Sequence, residues 1–187
     1  MTHENETISN VDYSEIGLSE SESINCEFVR CNLAKADLSG SRFEDCVFDG
    51  CNLSAALLNN TALQNIKFLE CKLIGVDFTQ CSDFLFSGTF ENCRMDYVLF
   101  CKKKLKGTHF AACSLIDADF TEADLTAAVF ADCDLFKAAF VNTNLEKTDF
   151  RTARNYAFDP DQNRIKKAKF SHPAVAGLLA KYDIDLK

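Results

Sequence analysis

Six of the ten cysteines recur at a spacing that could build a metal or redox site. Separated by 20 or 22 residues, they are Cys31, Cys51, Cys71, Cys93, Cys113 and Cys133. Zinc needs four convergent ligands, and the sequence contains no C-x-x-C pair. A regular spacing instead predicts parallel buried thiols about 4.8 Å apart, whereas a disulfide needs convergent β-carbons about 3.8 Å apart. We therefore expect reduced cysteines without metal or cofactor, and an outward Cys101 as the most reactive thiol.

Candidate catalytic residues are equally sparse. The three histidines are His3 in a polar N-terminal segment, His109 on a flat side of the predicted fold and His172 at a predicted helix start. None forms a Ser-His-Asp set in the sequence, and neither a phosphate-binding loop nor paired carboxylates are apparent. We therefore predict that the protein is not an enzyme.

Carboxylates give the clearest electrostatic pattern. The formal net charge of −8 disfavours direct binding of nucleic acid, because phosphate contacts need clustered Lys and Arg. Asp37, Asp77 and Asp119 share one outward position of the repeat, and Leu57 and Leu99 lie between them. Further acidic residues, towards the C-terminal half, are Asp124, Asp134 and Asp149.

These six aspartates are candidate partner-binding residues, because an acidic rod can compete for a basic DNA-binding groove. Two observations keep an ordinary solvated surface open as the alternative. The carboxylates are spread over several sides of the repeat, and four lysines predict a positive patch in mid-chain: Lys102, Lys103, Lys104 and Lys106.

The element that positions these residues is a five-residue block. From Cys26 to Arg151 the central position of the blocks is Phe or Leu, as in A-D-L-S-G at 36–40, with Met95 as the exception. Four blocks give a 20-residue period, and one column of it holds Phe28, Phe48, Phe68, Phe90, Phe110, Phe130 and Phe150. A second inward position is small in most blocks, since it shares a narrow interior. Four sides per coil predict an all-β solenoid with a square section and coils about 4.8 Å apart.

The period slips once. Phe68 and Phe90 lie 22 residues apart, which predicts a two-residue bulge within 79–86. The bulge directs either Phe84 or Phe86 outward as a candidate partner anchor, unless that ring folds back over the insertion. A second candidate contact is a strip of outward apolar side chains with Asp96 between them: Ile74, Ile116 and Phe136.

The pattern divides the chain into three parts. Residues 1–10 are polar and expected to be flexible. Residues 11–152 should form about seven coils, and 153–187 a C-terminal cap. Within the cap we predict a short α-helix at about 172–182, followed by a short strand containing Ile184 and Leu186. The apolar face of this helix consists of Val175, Leu178, Leu179 and Tyr182.

The blocks resemble the consensus [STAV]-[DN]-[LF]-[STR]-[G] of the pentapeptide-repeat family, over about 26–152 and more loosely 11–152. This resemblance implies a right-handed quadrilateral β-helix. The segment G-L-L-A-K-Y-D-I at 177–184 is similar to the ends of the Qnr and McbG proteins. In the Qnr group the corresponding helix joins two protomers, which implies a homodimer through Val175, Leu178, Leu179, Tyr182 and Ile184. A cap that only plugs the core is the alternative.

The resemblance also implies a function, because Qnr and McbG relieve the poisoning of type II topoisomerases. We expect a non-enzymatic rod that binds DNA gyrase or topoisomerase IV, with DNA mimicry as one mechanism, and protects against quinolone- or microcin-type poisons. A scaffold that binds some other protein is the alternative. The chain has an acidic N-terminal segment and no apolar run of about 18 residues, so we expect a cytoplasmic protein without membrane contact.

Overall fold

The chain winds into a parallel β-solenoid with four short sides per coil. The structure is a computed structural model that describes residues 2–84, 86–182 and 184. Within them it contains eleven strands: β1 (Thr2–Glu4), β2 (Thr7–Ser9), β3 (Glu22–Ile24), β4 (Glu27–Val29), β5 (Arg42–Glu44), β6 (Val47–Asp49), β7 (Ala62–Gln64), β8 (Ile66–Leu69), β9 (Gly88–Glu91), β10 (His109–Ala111) and β11 (Val129–Ala131). Three 3₁₀ helices span Phe78–Gln80, Pro160–Gln162 and Pro173–Tyr182. The predicted quadrilateral β-helix is confirmed.

Parallel pairing fixes the predicted register. One sheet has the order β1-β3-β5-β7, and the other has the order β11-β10-β9-β8-β6-β4-β2. Phe48 pairs with Phe68, and Phe68 with Phe90, so the two-residue insertion leaves the column intact. The remaining sides are joined by isolated parallel bridges such as Leu99 with Asp119. Each inward side chain therefore lies directly on its counterpart in the next coil.

The core is a stack of aromatic rings. Phe90, Phe110 and Phe130 are fully buried, with centroid separations of 5.1 and 4.9 Å and nearly parallel planes. A second stack on the adjoining side meets the first edge to face, as Phe100 does with Phe110 at 6.1 Å. Offset stacked and edge-to-face rings each add about 0.5–1.5 kcal/mol beyond their area burial. The aromatic columns are therefore the main source of cohesion between coils.

The corners between sides use residues in the left-handed region. Asn25, Asp45 and Asn65 occupy successive coils of one corner with φ of 51–53°. Their side chains also form a ladder, in which Asn65 Nδ2 donates to Asp45 Oδ1 at 2.6 Å. Asn and Asp adopt this conformation more readily than most residues because their short polar side chains bond locally. In these coils the polar residue at the fifth position of the block therefore turns the chain.

The N-terminal segment differs from the prediction. Residues 1–10 were expected to be flexible, but β1 pairs with β3 and β2 pairs with β4. His3 and Ile8 continue the five-residue rhythm upstream of Tyr13 and take inward positions above Ser23 and Phe28. The prediction missed this coil because its inward residues are a histidine and an isoleucine instead of Phe or Leu.

The solenoid also continues beyond the predicted end at residue 152. Arg164 bridges to Asn144 and Lys169 bridges to Asp149, which adds a further coil. Phe170 stacks on Phe150 with a centroid distance of 5.5 Å and an interplanar angle of 1°. The five-residue sequence repeat is lost after residue 152. The inward side chains of this coil are Tyr156, Phe158, Ile165 and Phe170.

The predicted C-terminal helix lies where expected but has 3₁₀ geometry over Pro173–Tyr182. Three residues per turn align Leu178 with Lys181, whereas an α-helix would align it with Tyr182. Leu178 is buried, whereas Lys181 and Tyr182 are exposed. Of the strand predicted after it, Asp183 and 185–187 lie outside the described residues, as does Leu85 in the inner column.

The aromatic stacking is interrupted at one level of the core. Leu58 occupies the position taken by Phe78, Phe100 and Phe120 in later coils, and Ala56 lies beside it. A small apolar cavity of about 10 Å³ results. Its lining includes Leu38, Phe43, Leu58, Leu63, Phe68 and Phe78. Since it offers no polar partner to water, we expect it to be dry.

Leu58→Phe should fill this cavity and extend the stack that begins at Phe78. We expect the free energy of unfolding to rise by about 1 kcal/mol, measured by urea denaturation. Leu125→Phe is the matched control, because Leu125 is fully buried in a coil flanked by Phe120 and Phe130. Overpacking there should cost about 1–3 kcal/mol. Destabilisation by both variants would contradict the assignment of the cavity.

Candidate functional site

One column of outward side chains alternates between acid and leucine. It consists of Asp37, Leu57, Asp77, Leu99, Asp119 and Ala139, and we call it the Asp–Leu column. Bridges join Asp37 to Leu57, Asp77 to Leu99, and Leu99 to Asp119, so the predicted alignment is present. Leu57 and Leu99 are 51% and 38% exposed. The column therefore presents both charge and apolar area.

Each aspartate of the column is held by its own turn. Oδ1 of Asp37, Asp77 and Asp119 accepts the backbone N–H two residues later, at 2.8–2.9 Å. Hydrogen bonds from Ser39 lower the pKa of Asp37 below its ordinary value. Partial burial opposes this effect at Asp119, but bonds from Thr121 and Cys101 still leave its pKa lowered. The lowered pKa values keep Asp37 and Asp119 ionised at neutral pH, and the turn hydrogen bonds hold all three carboxylates in fixed orientations.

The charge density of the column is lower than that of a DNA strand. Its aspartates are two coils apart, or about 9.6 Å at the strand spacing. One DNA strand carries a phosphate for about every 3.4 Å of helix rise. The column alone is therefore a sparse row of charges interleaved with leucines, and any likeness to DNA must draw on other sides of the rod.

The other predicted acidic residues lie on different sides of the solenoid. Asp134 accepts hydrogen bonds from Arg154 and Asn155, and Asp149 pairs with Arg151 at 2.7 Å and Lys169 at 3.5 Å. Hydrogen bonding by Arg151 lowers the pKa of Asp149 to about 2. Asp124 instead accepts the backbone N–H of Thr126. The structure does not bring Asp124, Asp134 and Asp149 together with the Asp–Leu column.

Of the two phenylalanines in the bulge, Phe84 faces outward. Phe84 is 76% exposed, whereas Phe86 is half-buried and meets Phe78 edge to face at 6.2 Å. We call the segment 82–87 the bulge loop. Phe84 is therefore an exposed aromatic side chain on a short loop, and Phe86 is part of the loop's attachment to the core.

Lys103 anchors this loop, a role that the repeat pattern does not indicate. Its side chain is 2% exposed, and Nζ donates to the Cys81 carbonyl at 2.6 Å and to Asp83 Oδ1 at 2.7 Å. The same ammonium lies 5.0 Å from the centroid of Phe86. Position 103 belongs to the small inward column after Ser41, Thr61 and Cys81, so a lysine there signals a buried cation. The predicted positive patch is reduced to Lys102, Lys104 and Lys106.

The apolar strip on another side is only partly exposed. Ile74 and Ile116 are half-buried, while Phe136 is 49% exposed beneath the ammonium of Lys137. Asp96, between them, is buried and accepts the backbone N–H of Ile116 at 3.3 Å. The strip therefore offers one large apolar side chain, at Phe136.

The thiols of the cysteine column form hydrogen bonds with backbone carbonyls inside the core. The thiol of Cys51 donates to the Phe28 carbonyl at 3.1 Å, and Cys71 donates to the Phe48 carbonyl at 3.2 Å. A hydrogen bond with Cys113, together with burial, raises the pKa of Cys93 to about 12. Burial and Asp119 raise the pKa of Cys101 to about 11, which disfavours the reactive thiolate expected there. Within the described residues, no group of His, Cys, Asp or Glu is arranged to hold a metal ion.

The C-terminal helix is closely docked on the end of the solenoid. A β-carbon at Gly177 would lie 2.0 Å from the Tyr156 carbonyl oxygen, so this contact requires glycine. Leu178 is buried, and Lys181 bonds Asp159 at 2.6 Å and also Asp161. The remaining predicted dimer residues are exposed: Val175, Leu179, Tyr182 and Ile184. The helix thus caps the core and leaves these apolar side chains exposed, with Leu179 and Tyr182 in line at three residues per turn.

Comparison with known proteins identifies the repeat. The family descriptions "Pentapeptide repeat region" and "Pentapeptide repeats (8 copies)" match residues 21–100 and 113–151, together well over half of the chain. No curated protein matches it significantly. Among the described residues, no helix has the length and apolar content needed to cross a bilayer.

Solved structures of QnrB1, described as a plasmid-mediated fluoroquinolone resistance protein, are similar to the chain. Two trypsin-treated forms align with TM-scores of 0.60 and 0.61 at 19% and 18% identity, over at least 99% of both chains. The full-length form aligns with a TM-score of 0.51 at 18% identity, over 98% of this chain and all of its own. At this identity the likeness establishes the fold.

Asp83→Asn tests the anchoring of the bulge loop. The change leaves the buried ammonium of Lys103 without its charged partner. We expect a loss of about 1 kcal/mol in the free energy of unfolding and faster amide exchange within 82–87. Glu91→Gln, at an exposed carboxylate of β9, should change stability by less than about 0.5 kcal/mol. If hydrogen–deuterium exchange of the loop is the same in both variants, Asp83 does not anchor it.

Proposed function

Because the chain belongs to the pentapeptide-repeat family, we propose that it is a non-enzymatic rod that binds a type II topoisomerase, DNA gyrase or topoisomerase IV. Binding would protect the enzyme from poisons of the quinolone or microcin type. The observation that carries the proposal is the Asp–Leu column, a straight row of fixed carboxylates on a rigid support. The similarity to QnrB1, a fluoroquinolone resistance protein, supports the choice of partner.

The Asp–Leu column has the chemistry of a protein-binding surface. Its carboxylates would attract the basic groove in which a topoisomerase holds DNA, and would speed association at low salt. Leu57 and Leu99 add exposed apolar area that a phosphate backbone lacks. A partner that accepts both would be held by apolar burial after electrostatic steering, which favours specific recognition over simple imitation of a polyanion.

Phe84 is the second proposed contact. An exposed aromatic ring on an anchored loop loses little conformational freedom on binding, and aromatic side chains are frequent binding hot spots. The bulge loop follows Asp77 of the Asp–Leu column along the chain and is held by Lys103. We propose that the column positions the rod in the groove and that Phe84 enters a pocket of the partner.

The decisive assay is supercoiling by purified gyrase over a concentration series of the protein, with and without a fluoroquinolone. The wild-type protein should restore supercoiling in the presence of the drug. Asp37→Asn/Asp77→Asn/Asp119→Asn should need at least about tenfold more protein for the same rescue, because about 1.4 kcal/mol corresponds to a factor of ten. These amides can still accept the turn hydrogen bonds, so folding should be preserved.

The matched control neutralises three carboxylates on or next to another side: Asp49→Asn/Glu91→Gln/Asp132→Asn. This variant should protect gyrase like the wild type. Equal losses in the two triple variants would show that only net charge matters. No rescue and no inhibition by the folded wild-type protein would overturn the proposal.

A scaffold for an unrelated protein is the second candidate, and the exposed Phe136 favours it. On this account the strip of Ile74, Ile116 and Phe136 would carry binding, and neutralising the Asp–Leu column would be silent. Phe136→Ser separates the two functions, because it should abolish capture of a scaffold partner while leaving protection of gyrase unchanged.

We also propose that the chain forms a homodimer through its C-terminal helix. Docking of Leu178 and Gly177 on the solenoid leaves Val175, Leu179 and Tyr182 facing outward on one short element. A second copy related by a twofold axis would cover this apolar face with the same face, as isologous interfaces require. The resulting assembly would be a longer rod with two Asp–Leu columns.

Leu179→Glu tests the dimer. A charge buried in the interface should raise the dimer dissociation constant at least about tenfold, with little effect on the folded monomer because Leu179 is partly exposed. Sedimentation velocity over a concentration series measures the change. Ile16→Glu, at a highly exposed position near the other end, is the control and should leave association unchanged. A wild-type protein that remains monomeric throughout would contradict the proposal.

A further inference from the structure

Charge is distributed unevenly along the rod. The first 50 residues contain eleven Asp and Glu but only three Lys and Arg. Residues 151–187 contain eight Lys and Arg against four Asp and Glu. The net charge of −8 is therefore an average over an acidic N-terminal end and a basic C-terminal end, and it does not describe the surface at either end.

Six basic residues gather around one corner of the last two coils. Arg164 and Lys166 occupy outward positions on one side, and Arg151 and Lys169 occupy outward positions on the adjoining side. Lys147 and Lys167 lie at the corner itself in the left-handed conformation, with φ of 62° and 60°. We call this set the basic corner: Lys147, Arg151, Arg164, Lys166, Lys167 and Lys169. All six side chains are exposed.

Backbone pairing holds the basic corner in place. Arg164 bridges to Asn144, Lys169 bridges to Asp149, and the N–H of Lys147 donates to the Lys166 carbonyl at 3.0 Å. Two neighbouring coils therefore present their cations at the strand spacing of about 4.8 Å. The cluster is a fixed feature of the solenoid and does not depend on a flexible tail.

Nearby carboxylates offset only part of this charge. Asp149 pairs with Arg151 and Lys169, and Glu146 precedes Lys147 in the chain. Within the part of the chain that the structure describes, Arg164, Lys166 and Lys167 take part in no ion pair. With two carboxylates against six cations, the corner keeps a clear positive excess that is open to solvent.

The acidic end is too far away to cancel this field. From Phe48 to Phe150 the column rises by five coils, or about 24 Å at the strand spacing. That separation is about three Debye lengths at physiological ionic strength. An anion approaching the basic corner therefore encounters a local positive potential despite the net negative charge of the protein.

We propose that the basic corner binds the phosphate backbone of duplex nucleic acid without regard to base sequence. Exposed Lys and Arg with no aromatic side chain among them fit phosphates better than a protein partner, since protein interfaces are depleted in Lys and enriched in aromatics. The convex corner, with cations on both of its sides, also suits two phosphate strands flanking a groove. A planar bilayer would contact mainly one side.

The test is fluorescence anisotropy of a labelled 24-base-pair DNA of arbitrary sequence, about the length of two helical turns, titrated with the full chain at several salt concentrations. We expect saturable binding. The logarithm of the association constant should fall linearly with the logarithm of the salt concentration, at a slope of about −3 to −4, for three or four neutralised phosphates. A second duplex of unrelated sequence should bind equally well.

Arg164→Gln/Lys166→Gln/Lys167→Gln should weaken binding at least about tenfold and bring the slope closer to zero by about 2–3. The matched control, Lys102→Gln/Lys104→Gln/Lys106→Gln, removes three exposed cations from mid-rod and should change affinity less than about twofold. Thermal unfolding checks that both variants are folded. Loss of binding in both variants alike would overturn the assignment to this corner.

Two further measurements distinguish duplex DNA from a lipid membrane and from a second copy of the chain as the partner of the basic corner. If the wild-type protein leaves the anisotropy of the duplex unchanged at low salt but sediments with vesicles of anionic lipid, the corner is a membrane site and the proposal is wrong. If it binds neither but self-associates at low salt, the acidic end of a second copy occupies the corner, and the proposal is equally wrong.

Discussion

Stacking of hydrogen-bonded coils is the constraint on which the rest of the structure depends. Once each strand pairs in parallel with its counterpart in the next coil, every inward side chain must lie on the equivalent side chain above and below it. Residues of similar size and polarity satisfy this condition along most of the rod. Most inward positions hold Phe or Leu at the large position and Cys, Ala, Ser or Thr at the small one.

The same constraint leaves function to the outer surface. The interior is filled, and its small apolar cavity is lined by Leu and Phe side chains. Outward residues, by contrast, form straight columns about 4.8 Å apart whose chemistry can vary without disturbing the core. The Asp–Leu column and the basic corner are two such arrangements on one support. They give the rod a surface suited to protein at one place and to phosphate at another.

The sequence was sufficient to predict the position of a residue wherever the repeat was regular. The Phe column, the bulge within 79–86 and the alignment of Asp37, Asp77 and Asp119 all follow from counting residues. It failed where a residue broke the pattern without breaking the structure. Lys103 is a cation in a column of small residues, and His3 is an inward residue outside the consensus. Their positions depend on contacts with Asp83 and with β3, which the local pattern does not contain.

The division between inward and outward residues is the central claim, and thermal unfolding of two variants tests it most directly. Phe110 is fully buried between Phe90 and Phe130, so Phe110→Asp should abolish the cooperative transition by replacing a stacked ring with an unpaired charge. Asp119→Asn, on an outward position, should change the free energy of unfolding by less than about 1 kcal/mol. A wild-type melting curve for Phe110→Asp would contradict the account.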